Sequence, residues 1–270
     1  MSDTAYTESF ASIYDDIMSA VPYNFWYSYI KDILIYYGKK PHTILDLACG
    51  TGAMTLKFAR DGKKTTGIDG SSEMLKRARL KIEKEDVDIN YIESDIRDIN
   101  INRNFDLVVS LFDSLNYILS IEELKRVFLN VSRMMKDDAV FIFDMNTVNR
   151  LKDIEPGLTT LSGKNYTCFW EDSVDRDKVL WQVKLKIYFN NDKLNFYEEF
   201  HQETAFPSSD IIKILKSVGF KYIDILDAYT FNKGRDENNR LYYICSKNDL
   251  KARSFNLPRK IKWRLFNIFM

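Results

Sequence analysis

The sequence predicts an open, doubly wound α/β sheet with a small antiparallel sheet inserted late in the chain. Three observations carry that expectation. The stretch Ile44-Leu45-Asp46-Leu47-Ala48-Cys49-Gly50-Thr51-Gly52-Ala53-Met54-Thr55-Leu56 runs from an apolar segment ending in an acid, through a small-residue turn, into a helical pattern. That is the form of the first βα unit in such a sheet. Strand-like segments then alternate with helical patterns, which argues for parallel pairing. From Trp181 to Phe189 apolar and polar residues alternate strictly, the mark of a half-buried antiparallel strand.

Residues 1–37 are dense in aromatics, among them Tyr6, Phe10, Tyr14, Trp26 and Tyr29. Phe10, Tyr14 and Ile17 share a helical face, as do Phe25, Tyr29 and Ile33, and Pro22 separates the two sets. Two helices ahead of the first strand are expected, with most rings packed on the sheet. After the turn at Gly38 to Pro41, parallel strands are expected at 43–47, 64–68, 89–93, 105–110 and 139–144. Ser71, Ser72 and Glu73 open one helix, and Ser120-Ile121-Glu122-Glu123 reads as a capping box for another. Behind that box Leu124, Val127, Phe128 and Val131 form one apolar face. Asp46, Asp69, Asp95 and Ser110 all fall at the carboxyl ends of strands, where open α/β sheets bind ligands.

Past Asn146 the pattern changes. Tyr166 to Glu171, Trp181 to Phe189 and Leu194 to Thr204 read as a small antiparallel sheet, with a turn at Asn190-Asn191-Asp192-Lys193. Pro207 and Ser208 open a helix that ends before Gly219, and Phe220 to Leu226 and Leu241 to Ser246 read as a closing antiparallel pair. Residues 251–270 hold six basic residues and no acid, beside Trp263, Phe266 and Phe269. That tail reads as a segment packed on the body, a contact with a partner copy in a homodimer, or a weak membrane-surface contact.

Composition narrows the class. The chain has 270 residues, 45% of them hydrophobic, with a formal net charge of zero. No general attraction to nucleic acid follows from that balance. Cys49, Cys168 and Cys245 are too few and too scattered for a disulfide framework or zinc cluster, so a reducing, cytoplasmic setting is expected. No secretory signal or membrane-spanning run is visible.

The glycine turn excludes two phosphate sites. A dinucleotide fingerprint counted from Gly50 needs a third glycine where Thr55 stands, and the phosphate-loop pattern is absent. Asp69 lies seventeen residues after Gly52, close to where such sheets place the acid that binds a ribose. The turn instead resembles the first motif of class I S-adenosyl-L-methionine-dependent methyltransferases, with Ala48 at its first glycine position. Gly67-Ile68-Asp69-Gly70-Ser71-Ser72-Glu73-Met74-Leu75 is similar to the second motif, Tyr91 to Ile96 to the third, and Phe105 to Ser110 to the fourth strand. The likeness is close over about residues 41–150.

The resemblance implies a seven-stranded Rossmann-like sheet and S-adenosyl-L-methionine as cofactor. It places Asp46, Ala48, Gly50, Gly52, Asp69, Gly70, Met74, Asp95, Ile96 and Leu111 around that cofactor. Asp95 would take the adenine amino group and Ile96 would offer its backbone N–H. The resemblance divides the chain into an N-terminal helical lid (1–40), a cofactor core (41–150), a substrate-side insertion (151–206), the end of the core (207–250) and the tail. Tyr14-Asp15 is similar to a pair in lids of small-molecule methyltransferases that act on glycine derivatives and amino sugars. An aromatic face beside a sulfonium is favourable, which suits Tyr14. Tyr14, Asp113 and His201 are the candidates for removing an acceptor proton, and Trp26, Asn116 and Tyr117 for binding the acceptor. Asp113 reads equally as a helix cap, Tyr117 as packing, and His201 as a satisfied strand histidine. The expected function is methyl transfer to a nitrogen or oxygen of a small molecule. Methylation of nucleic acid, or cofactor binding without catalysis, are the alternatives.

Overall fold

A computed structural model describes residues 5–99 and 101–252, and of residues 192–194 the backbone alone. Two helices, α1 (Glu8–Ile17) and α2 (Tyr23–Tyr36), precede the first strand and are joined by a short 3-10 turn. Strands β1 (Thr43–Leu47), β2 (Lys64–Asp69), β3 (Ile89–Glu93), β4 (Phe105–Ser110) and β5 (Met135–Asn146) follow. Helices α3 (Ala53–Arg60), α4 (Ser72–Ile82) and α5 (Ile121–Met134) connect β1 to β2, β2 to β3, and β4 to β5. A short α6 (Val148–Lys152) leads into β6 (Gly157–Ser162), β7 (Tyr166–Asp175), β8 (Leu180–Phe189) and β9 (Asp192–Thr204). The chain then returns through α7 (Ser208–Ser217), β10 (Tyr222–Asp227) and β11 (Arg240–Ser246).

Seven strands form one sheet in the order β10-β11-β5-β4-β1-β2-β3, and four form a second in the order β6-β7-β8-β9. The order reverses between β1 and β4, which opens a crevice beyond their carboxyl ends. Strands β1 to β5 are parallel, with helices crossing between all of them except β3 and β4, while β10 and β11 pair antiparallel at the edge. The core lies on both faces of this sheet. On one face Val127, Phe128 and Val131 of α5 pack with Phe141 and Phe143, and on the other Tyr29, Ile30 and Ile33 of α2 pack with Ile142 and Ile244. A third cluster joins α1 to the smaller sheet through Phe10, Ile13, Cys168, Val183 and Leu185.

Two strands differ from expectation. β5 begins at Met135, where Lys136, Asp137 and Asp138 look like a loop in the sequence, and its register against β4 shifts between Phe105 and Leu107. A bulge of this kind lets exposed polar residues continue a strand that periodicity places later. The strand β6 carries no alternation in its Gly-Leu-Thr-Thr-Leu-Ser sequence, and it forms the exposed edge of the smaller sheet. One cap differs too. Ser120 accepts from the Glu123 N–H, yet the Glu123 carboxylate pairs with Arg97 instead of turning back, so half of the capping box forms.

Candidate active site

The crevice at the strand ends is lined by Asp46, Ala48, Gly50, Asp69, Met74 and Leu111, with Tyr14 and Tyr117 across it. The Asp69 carboxylate is buried and accepts N–H bonds from Gly50 at 2.7 Å and Ser71 at 2.8 Å. This couples the end of β2 to the turn after β1. Ser71 also caps α4 by accepting from Met74 at 3.2 Å, which seats the Met74 side chain on the turn. Gly50 has φ +55, a conformation that excludes most side chains, and a Cβ there would sit 3.4 Å from the Met74 methyl. Burial raises the Asp46 carboxyl to about 7, opposed by a 2.6 Å hydrogen bond from Thr55 and reinforced by nearby Asp69.

A second cavity of about 210 Å³ adjoins the first and shares Tyr6, Tyr14, Phe112 and Tyr117 with it. The new walls come from both sheets: Asp113 and Arg240 from the core, and Trp170, Trp181, His201 and Glu203 from the smaller sheet. Phe112 and Asp113 both have positive φ, and the buried Asp144 carboxylate holds their N–H groups at 2.9 and 3.1 Å. Arg240 pins the same loop, pairing with Asp144 at 2.6 Å and Asp113 at 2.8 Å. Strain of this kind persists only where surrounding bonds fix it, as they do here.

The N-terminal segment closes the space between the two sheets. The N–H groups of Tyr6 and Thr7 donate to Glu199 of β9, as does the Thr7 hydroxyl. The Ser71 hydroxyl donates to the Tyr6 carbonyl. Asp15 accepts from Thr51 and Lys81 on the core side, while Asp16 accepts from Tyr166 on the other, each at 2.7 Å. One helix thus bridges the two sheets above both cavities.

The structure brings together most of the sequence candidates. Tyr14, Tyr117, Trp26, Asp113 and His201 all line the second cavity. Asp113 precedes a 3-10 turn without capping it, and its carboxylate serves Arg240 and Asn146 instead. His201 is 5% exposed, and burial lowers its imidazole to about 4. Burial holds the Tyr14 hydroxyl well above its ordinary value, so its proton stays in place.

Five of the sequence candidates line neither cavity. Asn116 is fully buried, and its amide bonds to the backbone of Asn146 and Thr204, tying β5 to β9. It lines neither cavity because its polar atoms are spent holding two strands together. Gly52 has φ +74, and a Cβ there would overlap the Tyr91 hydroxyl, so this glycine admits a packed tyrosine and opens α3. Asp95 receives the Arg97 guanidinium and backbone N–H, beside a buried Ile96, and neither lines the two cavities. Gly70 is exposed, and its backbone N–H helps hold the Asp69 carboxylate. Sequence reasoning missed Glu203 and Arg240. The period of β9 that puts His201 inward also puts Glu203 inward, which was a usable signal, while Arg240 became visible only through its pairing partners.

The first cavity fits a nucleoside with a cationic group. It offers buried Asp69 for ribose hydroxyls, a second acid in Asp46, and aromatic rings that favour a sulfonium. Among the described residues no group of His, Cys, Asp or Glu is arranged to hold a metal ion, and no helix is long and apolar enough to cross a membrane.

Comparison with known proteins agrees with this geometry. The profile of a family described as methyltransferase domain matches residues 44–138. A putative methyltransferase, YqeM of Bacillus subtilis, is 29% identical over 243 residues, spanning 89% of this chain and 96% of the relative. The crystal structure of an S-adenosylmethionine-dependent methyltransferase from Clostridium acetobutylicum superposes with a TM-score of 0.78 at 30% identity, covering 89% of this chain and 98% of that one. The sugar N-methyltransferase KedS8 from Streptoalloteichus shares the fold, with a TM-score of 0.73 at 17% identity over 92% of this chain and 98% of its own.

Proposed function

The chain belongs to the S-adenosylmethionine-dependent methyltransferases, and from that premise we propose that it methylates a nitrogen or oxygen of a small molecule. Bound in the strand-end crevice, S-adenosyl-L-methionine supplies an activated methyl group. The chain's own residues bind, orient and exclude water. Asp69 would receive the ribose hydroxyls, with Met74, Leu111 and the Gly50 backbone lining the same crevice. For Asp95 to take the adenine amino group, Arg97 shares the carboxylate.

The observation that carries this reading is the second cavity. It is walled by aromatic rings, adjoins the crevice, and is closed by α1 between the two sheets. A dry, oriented pocket is what transfer to a small nucleophile needs, since most of the rate comes from positioning. Residues 1–40 act as the lid, 41–150 with 207–250 as the cofactor core, and 151–206 as the acceptor side. The lid opens for the cofactor to enter, which the polar ties at Asp15, Asp16 and Glu199 permit. A cytoplasmic setting is part of the proposal, supported by three free cysteines, two of them buried. The homodimer or membrane contact expected of residues 251–270 falls, from residue 253 onward, outside the described residues.

Turnover of labelled S-adenosyl-L-methionine with a panel of amines, phenols and RNA tests the reading. Transfer to an amine or phenol is expected. Transfer to RNA alone, or to nothing in a panel that includes cell-extract small molecules, contradicts it.

A further inference from the structure

The second cavity carries an imbalance of charge that the methyltransferase fold does not require. Asp113 and Glu203 line it, with Asp144 directly behind, against one guanidinium, Arg240. Arg240 makes its ion pairs with Asp113 and Asp144. Glu203 is 6% exposed, and among the described residues its carboxylate meets a single hydrogen-bond donor, the Asn146 amide at 3.2 Å. That amide also serves Asp113 at 2.7 Å. His201 is neutral and adds no cation, and its Nε2 is buried without a hydrogen-bond partner. Trp170 and Trp181 form the opposite wall, with both ring N–H groups fixed on Asp172 at 3.1 and 2.9 Å.

We propose that the acceptor is a basic amine, that it enters the second cavity as an ammonium paired with Glu203 among the aromatic walls, and that Glu203 takes its proton before methyl transfer. The inference rests on the methyltransferase reading and narrows its acceptor. A buried carboxylate with one neutral donor is costly to ionise, and an incoming cation relieves that cost. Aromatic faces favour the same charge. The groups facing Glu203 are Asp113 on the loop after β4, Asp144 on β5, Arg240 on β11, His201 on its own strand, and the Tyr6 and Tyr117 hydroxyls. Burial first, and then Asp113, raise the Glu203 carboxyl well above the usual carboxylate value, against the pull of Arg240. A paired ammonium lowers that value and so favours loss of the carboxyl proton to solvent. The ammonium next passes a proton to the Glu203 carboxylate, leaving a free nitrogen lone pair. That pair forms the new N–C bond as the S–C bond breaks, and the electrons of the broken bond stay on sulfur. The positive charge moves to nitrogen, and the methylated ammonium is the product.

Glu203 is a residue whose role is separable from cofactor binding. Benzylamine and its uncharged analogue benzyl alcohol are titrated calorimetrically into the protein saturated with S-adenosylhomocysteine, in two buffers of different ionisation heat. Benzylamine is expected to bind about tenfold or more tightly than benzyl alcohol, with proton release. Glu203→Gln should erase both the preference and the proton release, while Glu203→Asp retains the preference. Equal binding of the two probes, no measurable benzylamine binding, or a preference that survives in Glu203→Gln overturns the proposal. A melting shift with S-adenosylhomocysteine in each variant shows that the fold and cofactor site are intact. Turnover only with phenols would remove the amine and leave methyl transfer standing.

Discussion

The two cavities are neighbours built in opposite ways. The β1 and β2 side of the strand-end crevice is made from residues close in sequence: Asp46, Gly50, Asp69 and Met74 fall within two βα units and are joined, with Ser71, largely by backbone N–H groups. The chamber beside it is lined by the N-terminal segment with α1, by α2, by the loop after β4, and by strands β7, β8, β9 and β11, and is joined by side chains, with Asp144 and Asn146 of β5 behind it. Backbone donors do not depend on side-chain identity, so the crevice suits an invariant cofactor. A chamber of side chains from seven segments can change its acceptor by single substitutions without disturbing the sheet.

If the chamber depends on its ion network, breaking that network should cost most. Arg240→Met leaves Asp144 and Asp113 facing each other in a buried setting, and an uncompensated buried pair costs about 3–5 kcal/mol. Chemical denaturation should show a loss of that size. A loss under about 1 kcal/mol would mean that the carboxylates are satisfied without Arg240.

His201 gives the chamber a pH signature. Its folded value of about 4 lies below the ordinary 6.5. A depressed value means the native state resists protonation. The stability it contributes is therefore full above about 6.5 and is lost as pH falls through 6.5 toward 4. The gap corresponds to about 3 kcal/mol over that window. The parent should lose about 3 kcal/mol relative to His201→Gln as pH falls from 6.5 to 4, with a constant difference between the two above about pH 7. Parallel curves would place the acid sensitivity elsewhere.

Legibility follows the same division. The crevice could be read from the sequence because its parts repeat at short spacing: an acid, a glycine turn and a helix start, and then an acid seventeen residues on. Spacing does not report what a glycine faces, so the packing of Tyr91 against Gly52 is not legible from the turn. Asn116 looks like a binding residue for the same reason, since its partners at Asn146 and Thr204 lie far along the chain. The period of β8 revealed the smaller sheet but not its edge strand β6, whose residues are exposed and carry no alternation. Arg240 begins a strand and looks like an ordinary surface cation until Asp113 and Asp144 fold against it.

The N-terminal segment is tied to both regions and allows a gentler perturbation. Glu199→Gln keeps the shape and removes the charge that holds the Tyr6 and Thr7 N–H groups, at about 1–2 kcal/mol of local stability. Hydrogen exchange over residues 6–17 should speed up while β1 and β4 stay protected. Uniform acceleration across the core would show that the segment is part of the sheet's stability and not a separate lid.

The division between crevice and chamber is tested most directly by titrating S-adenosylhomocysteine into the parent protein, Asp69→Ala and Glu203→Gln. Asp69→Ala removes charge-assisted hydrogen bonds to the ribose, each about 1.5–3 kcal/mol, and should weaken binding by tenfold or more. Glu203→Gln should bind like the parent. Parent-like affinity in Asp69→Ala, or a comparable loss in Glu203→Gln, would contradict the assignment of cofactor to one cavity and acceptor to the other.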